Sequence, residues 1–526
     1  MNKLRLGLLS AFVSMSFSLQ SWAGGLLTNT NTNIAFNRNF ARDGVIAIDG
    51  VYSNPAGVAF LADGFHLSLN NQSPFQTRTI QSGITVPAFA GTAFEHPFAL
   101  NGGNADGIKE FKGEANVPFI PSFQAAYNFG RWGIQASFSI VGGGGQCTFD
   151  NGLASFERPI SLIPSLLYAT NAKIQGATGV DLGLASTTPG YSVESYLKGK
   201  QFTLGFQLGA TYKINEHIAV YAGARFNHIT NKYEGSITNI TASIAGENQN
   251  LYDYFGALAT NYQAKSEALA AQAQAAQSAG NAEMAATLQK NAALCSTVAQ
   301  TMEGSRASFA DRYFDCTQSG WGVQPIIGFD YKGNRFNIGT RLEFTNHLNF
   351  TNKTKRDDTG LFPDGAKSPG DMPGIFTLGG MYEILPNLRG MASFHYFFDK
   401  DAKMSGDKQK LLEGNTIEML AGVEWDITDR IMVSAGGQRT NYGLGDGAYL
   451  TDISFTTDSY SAGFGAKIRI TEKVAANVAY FWTMYDKKDK AYDQTITLAG
   501  NDIATQCTDQ FTRTNRVFGV GIDIDF

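Results

Sequence analysis

The chain ends in RVFGVGIDIDF, a run in which apolar residues alternate with small, acidic or other polar ones. Side chains of a β-strand point alternately to its two faces, so Val520, Ile522, Ile524 and Phe526 share one face and the intervening glycines and aspartates share the other. One face therefore requires an apolar environment and the other an aqueous one. A sheet packed on a soluble core and a sheet that faces lipid both satisfy this pattern.

The same alternation recurs along the chain in pairs of segments joined by turns of two or three residues. The six hairpin turns lie at 130–131, 215–217, 332–334, 386–387, 428–430 and 471–473. A segment near Gly64 and the C-terminal segment bring the predicted number of strands to fourteen. An even number of antiparallel strands is typical of bacterial outer-membrane barrels.

The remaining connections are much longer than these turns, as between Val141 and Lys200 or between Ile240 and Gly320. Short periplasmic turns and long outer loops characterise transmembrane barrels. Such a barrel must close on itself, because lipid cannot satisfy the backbone groups of a free edge. We therefore predict an all-β transmembrane barrel of fourteen antiparallel strands over residues 63–526.

The first 23 residues have the organisation of a secretory signal peptide. Lys3 and Arg5 precede a short apolar stretch, and the small residues Ser21 and Ala23 fit cleavage after Ala23. The apolar stretch is shorter than the roughly 20 residues that a spanning helix needs. Export and strand alternation together predict a multi-pass protein of the bacterial cell outer membrane.

Charge and motifs exclude several functions. The formal net charge is -5, which argues against a polyanionic partner, so we expect no nucleic acid. The six histidines form no catalytic motif, and no phosphate-binding loop is present. We expect no enzymatic activity, no cofactor and no metal, since the cysteines lack the close spacing of zinc sites.

Residues 24–62 precede the first strand and lack its alternation. The stretch SNPAGVAFL suits a short helix that is capped by Ser53 or Asn54 and has Pro55 in its first turn. A barrel of fourteen strands is wide enough to leak unless it is filled. We interpret residues 24–62 as a plug, although a capped helix on any domain has the same local pattern.

A signal peptide, a plug with Asn54, Pro55 and Ala56 near its end, and fourteen strands together resemble the FadL-type family of outer-membrane transporters for long-chain fatty acids and other hydrophobic compounds. The resemblance covers essentially the whole mature chain. It implies that the plug closes the lumen and that the extreme N-terminus reaches a hydrophobic pocket. It also implies a kink in the third strand that opens the wall beside the Asn-Pro-Ala turn for sideways release into the membrane.

Two stretches match these implied features. Gly24, Leu26 and Leu27 lie at the mature N-terminus, which is flexible and apolar enough to reach a pocket, as many termini are. The third strand runs into Gly142 and Gly143, and glycine in a strand marks bends or bulges. These glycines could instead begin an outer loop.

Inward-facing arginines are candidates for the substrate carboxylate. Arg225 and Arg341 have the parity of the lumen face and could bind a carboxylate. They could equally pair with Asp330, Glu343 or Glu418 on the same face.

Residues 245–318 are rich in helix formers and are interrupted at Gly280 and Asn281, which predicts a two-helix hairpin outside the barrel. This insertion could form an outer collecting groove, a coat-like cap or an adhesion surface. Its small and polar composition makes an apolar groove the weakest of the three.

The four cysteines fall in predicted outer loops. In an oxidising compartment they suggest disulfides, with three possible pairings. A bridge between Cys295 and Cys316 would clamp the base of the helical hairpin, leaving Cys147 and Cys507 to tie other loops.

The sequence thus predicts a monomer that captures hydrophobic compounds, long-chain fatty acids above all, at its outer loops, binds them in the lumen and releases them through a gap in the wall. The expected partners are those small molecules, outer-membrane lipid and lipopolysaccharide, and the barrel assembly machinery, since the terminal Phe526 resembles the signal by which outer-membrane barrels are recognised for assembly. A general diffusion porin for small polar solutes and a surface adhesin are the alternatives. The plug argues against the porin.

Overall fold

The computed structural model describes residues 26–178, 183–498 and 501–526, so the predicted signal peptide and Gly24 lie outside the described residues. Within these ranges, nineteen strands, numbered in chain order, form one closed antiparallel sheet. Fourteen build the wall: β1 (Gly64–Thr85), β3 (Ile120–Phe129), β4 (Trp132–Phe149), β5 (Tyr191–Lys213), β6 (Ile218–Ile244), β8 (Arg312–Lys332), β9 (Phe336–Glu343), β12 (Ile375–Leu385), β13 (Leu388–Phe397), β14 (Ile417–Asp426), β15 (Ile431–Asn441), β16 (Ser459–Arg469), β17 (Val474–Tyr485) and β19 (Asn501–Asp525).

The barrel closes where the first wall strand meets the last. β1 pairs with β19 from His66 opposite Asp525 to Thr85 opposite Gln506. Every other wall strand pairs with its neighbours in chain order. The fourteen predicted strands and their antiparallel order are confirmed.

The burial pattern of the wall is inverted relative to that of a soluble protein. On β8, the Trp321 side chain is 75% exposed, whereas Gln324 and Asp330 on the opposite face are 1% and 0% exposed. Outward-facing apolar residues continue from Trp321 to Tyr331, which covers about 25 Å of height at the usual strand rise and tilt, as in outer-membrane barrels. A closed barrel with such a surface spans a bacterial outer membrane.

The outer end of the barrel carries five further strands and four helices. They are the strands β2 (Ile108–Asn116), β7 (Glu247–Asn250), β10 (Asn349–Asp357), β11 (Lys367–Pro369) and β18 (Lys488–Leu498) and the helices α3 (Ala154–Ser161), α4 (Ile163–Thr178), α5 (Leu251–Ser278) and α6 (Ala282–Ser308). Apolar side chains of β2, β18 and the four helices share one buried cluster with the outer ends of the wall strands. Among the described residues, no helix is both long and apolar enough to cross a membrane.

The predicted helical insertion is present as the hairpin of α5 and α6. Small side chains repeat every seven residues along its buried seam, at Ala259, Ser266 and Ala273 on α5 and at Ala285, Ala292 and Ala299 on α6. This heptad spacing is that of a coiled coil, and the small residues allow the two helices to pack closely. Only the base of the hairpin, including Leu251 and Phe255, joins the apolar cluster of the barrel.

The predicted disulfide between Cys295 and Cys316 is not present in the structure, in which all four cysteines are free. Cys147, Cys316 and Cys507 lie on β4, β8 and β19, which extend beyond the membrane instead of ending in loops. Cys295 lies within α6, well before its end at Ser308. The helix rises about 1.5 Å per residue, so Cys295 stands roughly 20 Å from the base that the disulfide would have clamped.

The apolar outer face of the wall predicts that the cost of an outward-facing charge depends on its depth in the bilayer. Phe464 faces lipid on β16 and is 60% exposed, whereas Ile470, which is 58% exposed, lies at the periplasmic end of that strand. An outward-facing arginine costs roughly 2–4 kcal/mol at the bilayer midplane and about 0–1 kcal/mol near an interface. We therefore expect Phe464→Arg to lower the free energy of unfolding from lipid vesicles in urea far more than Ile470→Arg does. Equal losses would contradict the assigned membrane level.

Candidate functional site

Residues 26–62, here called the lumen segment, lie inside the barrel. The segment contains α1 (Ile34–Arg38), α2 (Gly50–Ser53) and a 3-10 helix over Gly57–Phe60. Most of its residues are buried by the surrounding wall. Asn33 caps α1 through its side-chain oxygen, and its side-chain amide donates to Ser68 on β1 and Gln124 on β3. The segment is therefore tied to the wall from its first helix onward.

An acidic side chain on wall strand β14 binds two arginines of the lumen segment. Glu424 on β14 accepts hydrogen bonds from Arg38 at 2.8 Å and from Arg42 at 2.7 Å. Arg42 also makes a two-point contact with Asp49, at 2.7 and 2.9 Å, within the segment. These four side chains are buried, and the pairing satisfies charges that would otherwise be costly to bury.

A buried histidine forms a second link. His395 on β13 contacts Asp43 of the lumen segment at 2.8 Å and Glu418 on β14 at 2.9 Å, using both ring nitrogens. Gln438 and Thr440 on β15 donate to the same carboxylate of Glu418. The histidine thus joins the segment to a polar network of the wall.

Arg225 and Arg341, the predicted carboxylate-binding arginines, lie inside the barrel and contact an acidic side chain of the wall. Arg225 makes a two-point contact with Glu343 at 2.6 and 2.9 Å, and Arg341 Nε lies 3.3 Å from the same carboxylate. The ring of Tyr52 lies 4.8 Å from the Arg225 guanidinium and 4.7 Å from that of Arg341. Of the pairings considered, Glu343 is the one present, and both arginines are buried.

The Asn-Pro-Ala turn lies deep in the lumen. Asn54 donates to Asp330 on β8 at 2.6 Å, and the Pro55 carbonyl accepts from Gln135 on β4 at 2.6 Å. Ala56 is fully buried. The turn therefore anchors the segment between β4 and β8.

The third wall strand leaves its neighbour at the predicted glycines. The β3–β4 ladder stops at Phe138, whereas β4 continues beside β5 with bulges between Ile140 and Gly142 and between Gly143 and Gly145. Gly143 has a φ of 63°, a left-handed backbone conformation that glycine adopts readily. We call this interruption the β3–β4 break.

Three side chains fill the β3–β4 break. The Asn29 side-chain amide donates to the carbonyls of Ile140 and Gly143, at 3.2 and 2.9 Å. Ile120 and Ile140 belong to one apolar cluster, and both lie within 3.4 Å of where a Cβ on Gly144 would be.

The position predicted for this opening, beside the Asn-Pro-Ala turn, stays a prediction. That turn contacts β4 at Gln135, whereas Asn29 contacts the break. Gln135 lies three residues from Phe138, where the ladder stops, which is about 10 Å along a strand. The segment follows β4 outward, and therefore its beginning, not its end, meets the glycines.

A cavity of about 220 Å³ lies beside the outer end of the lumen segment. Its lining is mixed: apolar residues such as Leu27, Ile229, Phe350 and Met372 stand beside amides, hydroxyls, two lysines (Lys367 and Lys408) and the carboxylate of Asp371. Leu27 was predicted to reach such a pocket, and the neighbouring Leu26 is buried in the outer apolar cluster. The connections that supply most of the lining come from distant parts of the chain.

Lys408 is the buried lysine of this cavity, whereas the other lining lysine, Lys367, is exposed. Lys408 lies in a 3-10 helix over Ser405–Leu411, is 8% exposed, and its Nζ is 4.4 Å from the ring centroid of Tyr449. No hydrogen-bond acceptor reaches that Nζ within the described part of the chain. Burial, followed by the nearby charge of Lys490, lowers the pKa of Lys408 to about 7, although Asp452 acts in the opposite direction. Sequence reasoning missed this residue, because DKQK reads as an ordinary solvated loop.

The fold of the chain matches that of a solved structure. A FadL homologue from Pseudomonas aeruginosa aligns over 96% of this chain and 100% of its own, with a TM-score of 0.57 and 13% sequence identity. The chain has the FadL fold. No protein-family model matches the sequence, and no curated protein matches it.

Two further structures are more distant. The P. putida toluene transporter TodX has 11% identity and a TM-score of 0.46, with 91% of this chain and 94% of that chain covered. The Ralstonia pickettii toluene transporter TbuX has 14% identity and a TM-score of 0.43 over the same shares. These scores are too low to carry an argument about this chain, so the comparisons establish the FadL fold and not a substrate.

The buried ion pairs predict that removal of the Glu343 charge strongly lowers the free energy of unfolding. Glu343→Gln leaves Arg225 and Arg341 without their carboxylate, and loss of one partner from a buried ion pair costs about 3–5 kcal/mol. We expect a loss of that order in the free energy of unfolding in urea, followed by tryptophan fluorescence. Glu472→Gln, in an exposed periplasmic turn, is the control and should change it by less than about 0.5 kcal/mol. A neutral effect of Glu343→Gln would contradict the assigned network.

Proposed function

We propose that the protein transports hydrophobic compounds with an anionic head group, long-chain fatty acids above all, across the outer membrane. The observation that carries this proposal is the outer cavity, which has apolar side chains on part of its lining and the buried ammonium of Lys408 in its wall. Apolar lining favours an acyl chain, at about 0.8 kcal/mol for each buried methylene. The cation distinguishes a carboxylate from a neutral hydrocarbon.

Lys408 supplies the specificity in this proposal. A buried ammonium without an acceptor is costly, and a carboxylate that enters the cavity would complete its hydrogen bonds. Because a bound anion favours the charged lysine, binding would raise the lowered pKa of Lys408. Anion binding and proton uptake are therefore coupled at this site.

The cavity is small for a complete long-chain fatty acid. Its volume of about 220 Å³ is below the roughly 300–1,000 Å³ of typical ligand pockets. A long chain would therefore displace a lining element, and Leu27 is the lining residue nearest to the start of the described chain. We propose that substrate binding moves the beginning of the lumen segment.

Movement of Leu27 would affect the wall two residues further on. Asn29 fills the β3–β4 break through its hydrogen bonds to Ile140 and Gly143. Displacement of Leu27 and Asn29 together would connect the cavity to the break and allow lateral release into lipid. The rest of the lumen segment acts as the plug in this proposal, held by the buried ion pairs to β13 and β14.

The first test removes the ammonium. We expect Lys408→Met to weaken oleate binding by roughly ten- to hundredfold, since a hydrogen bond to a charged group contributes about 1.5–3 kcal/mol. Binding of the neutral alcohol of the same chain length should change little. Lys410→Met is the matched control, because Lys410 is exposed and pairs with Asp407 at 2.7 Å. Equal losses for oleate and the alcohol would remove the assigned role of Lys408.

The same site predicts a pH dependence of binding. Lys408 in the empty cavity loses its proton as the pH rises through about 7, whereas the carboxylate stays ionised. Oleate affinity should therefore be highest below pH 7 and fall between pH 7 and 9, by up to about tenfold per unit. Isothermal titration at several pH values measures this slope. Lys408→Met should abolish the slope, and a slope that survives in this variant would contradict the assignment.

The second test concerns the β3–β4 break. Ile120→Trp should keep the break filled even when Asn29 is displaced, and we expect oleate uptake by cells to fall while oleate binding to the purified protein is retained. Ile120→Ala is the matched control, which leaves the break open and should preserve uptake. Both variants are compared at equal surface levels. Normal uptake by Ile120→Trp would exclude release through this part of the wall.

A further inference from the structure

The outer wall carries a shallow apolar groove across four neighbouring strands. It runs from β4 to β8 and is lined mainly by Phe138, Leu204, Phe206, Phe226, His228 and Trp321. Leu204, His228 and Trp321 lie directly opposite one another on β5, β6 and β8. The groove therefore faces the bilayer at a single level of the wall.

That level is the outer boundary of the membrane. Trp321 is the last large apolar residue on the outward face of β8 before Ser319 and Thr317, and tryptophan is enriched at such interfaces. Its distance from the periplasmic end of β8 matches the height of the apolar band. Acyl chains of the outer leaflet must therefore contact the groove.

A cluster of lysines lies directly above the groove on the same strands. Lys200 on β5 is opposite Lys232 on β6, and Thr317 follows on β8 with Lys353 beside it on β10. These positions are four residues beyond the Leu204, His228 and Trp321 level, about 13 Å along the strands. The Lys200 Nζ lies 5.1 Å from the ring centroid of Phe202, between the two levels.

Two more lysines and two carboxylates complete the cluster. Glu234 binds both Lys198, at 3.1 Å, and Lys232. Lys355 lies 3.6 Å from Asp315. Five lysines therefore share two carboxylates on one outward face, and the cluster retains a positive charge that can attract an anion.

We propose that the groove and the lysine cluster form one binding site for a phosphorylated, multiply acylated glycolipid, which in the outer leaflet is lipopolysaccharide. Acyl chains would lie in the groove, and phosphate groups of the head would bind Lys200, Lys232 and Lys353. The charge of the cluster matches the phosphates, and its height matches the boundary between acyl chains and head groups. This site needs only insertion of the barrel and is independent of the proposed transport.

The test compares lipid A with dephosphorylated lipid A as ligands of the full-length protein in a neutral detergent, measured by native mass spectrometry. The triple variant Lys200→Gln, Lys232→Gln, Lys353→Gln should bind lipid A on the order of a hundredfold more weakly, given the contribution of each lysine near a lipid surface. The affinity of the triple variant for dephosphorylated lipid A should stay within about twofold of that of the intact protein. A twofold change is smaller than the tenfold change in Kd that corresponds to about 1.4 kcal/mol. The intact protein should prefer the phosphorylated lipid.

A second triple variant tests whether a loss of lipid A binding comes from the lysine cluster itself or only from the lower net charge of the protein. Lys265→Gln, Lys290→Gln and Lys410→Gln remove the same charge from exposed positions away from the groove and should leave lipid A binding unchanged. Phe226→Ala shortens the groove and should weaken both lipids alike. Equal losses in the two triple variants, or no preference of the intact protein for the phosphorylated lipid, would overturn the proposal. Complete displacement of lipid A by inorganic phosphate would overturn the part assigned to the groove.

Discussion

Backbone groups that face hydrocarbon must be paired within the protein, and the pairing of β1 with β19 meets this requirement for the whole sheet. Without that ladder the first and last wall strands would be free edges in lipid. The terminal alternation that ends at Phe526 follows directly, because the last strand must present apolar residues to lipid and polar ones to the lumen. The inverted burial of β8 and of the other wall strands expresses the same constraint.

Closure creates a lumen that is too wide for wall side chains alone to fill. The lumen segment occupies it, and the contact is polar because the inward faces of the strands are polar. Glu424, His395 and Glu343 are each held by opposite charges or hydrogen bonds, so burial of these groups is compensated. Arginine suits such positions, since its planar guanidinium can bind a carboxylate at two points.

The wall was predictable from the sequence, because a period of two is visible in every strand that has one face in lipid. The strands outside the membrane were not, since β2, with the sequence IKEFKGEAN, and β18 have no lipid-facing apolar residues to mark them. The cysteines were assigned to loops for the same reason: β4, β8 and β19 continue beyond the apolar band. Strand length in a barrel is not limited by the membrane.

The candidate site was only partly predictable. Leu27 and the glycines of β4 carried local signals, namely an apolar terminus and a run of glycine in a strand. Lys408 and the lining residues near Leu361 and Met372 come together only through the packing of separate outer connections. The alternation of apolar and polar residues in the sequence does not reveal such packing. Arg225 and Arg341 had the correct inward parity, yet parity alone could not choose among three carboxylates, and the choice of Glu343 depends on the neighbouring strands.

The hairpin of α5 and α6 contacts the barrel near its base, and beyond that point its helices pack against each other through small side chains. About twenty residues of each helix extend past that base, which corresponds to roughly 30 Å of rigid rod. Such a rod is taller than a shallow loop and does not fold back over the cavity. Antibodies and other large particles that approach the cell would therefore meet the turn at Gly280 and Asn281 well before they reach the barrel.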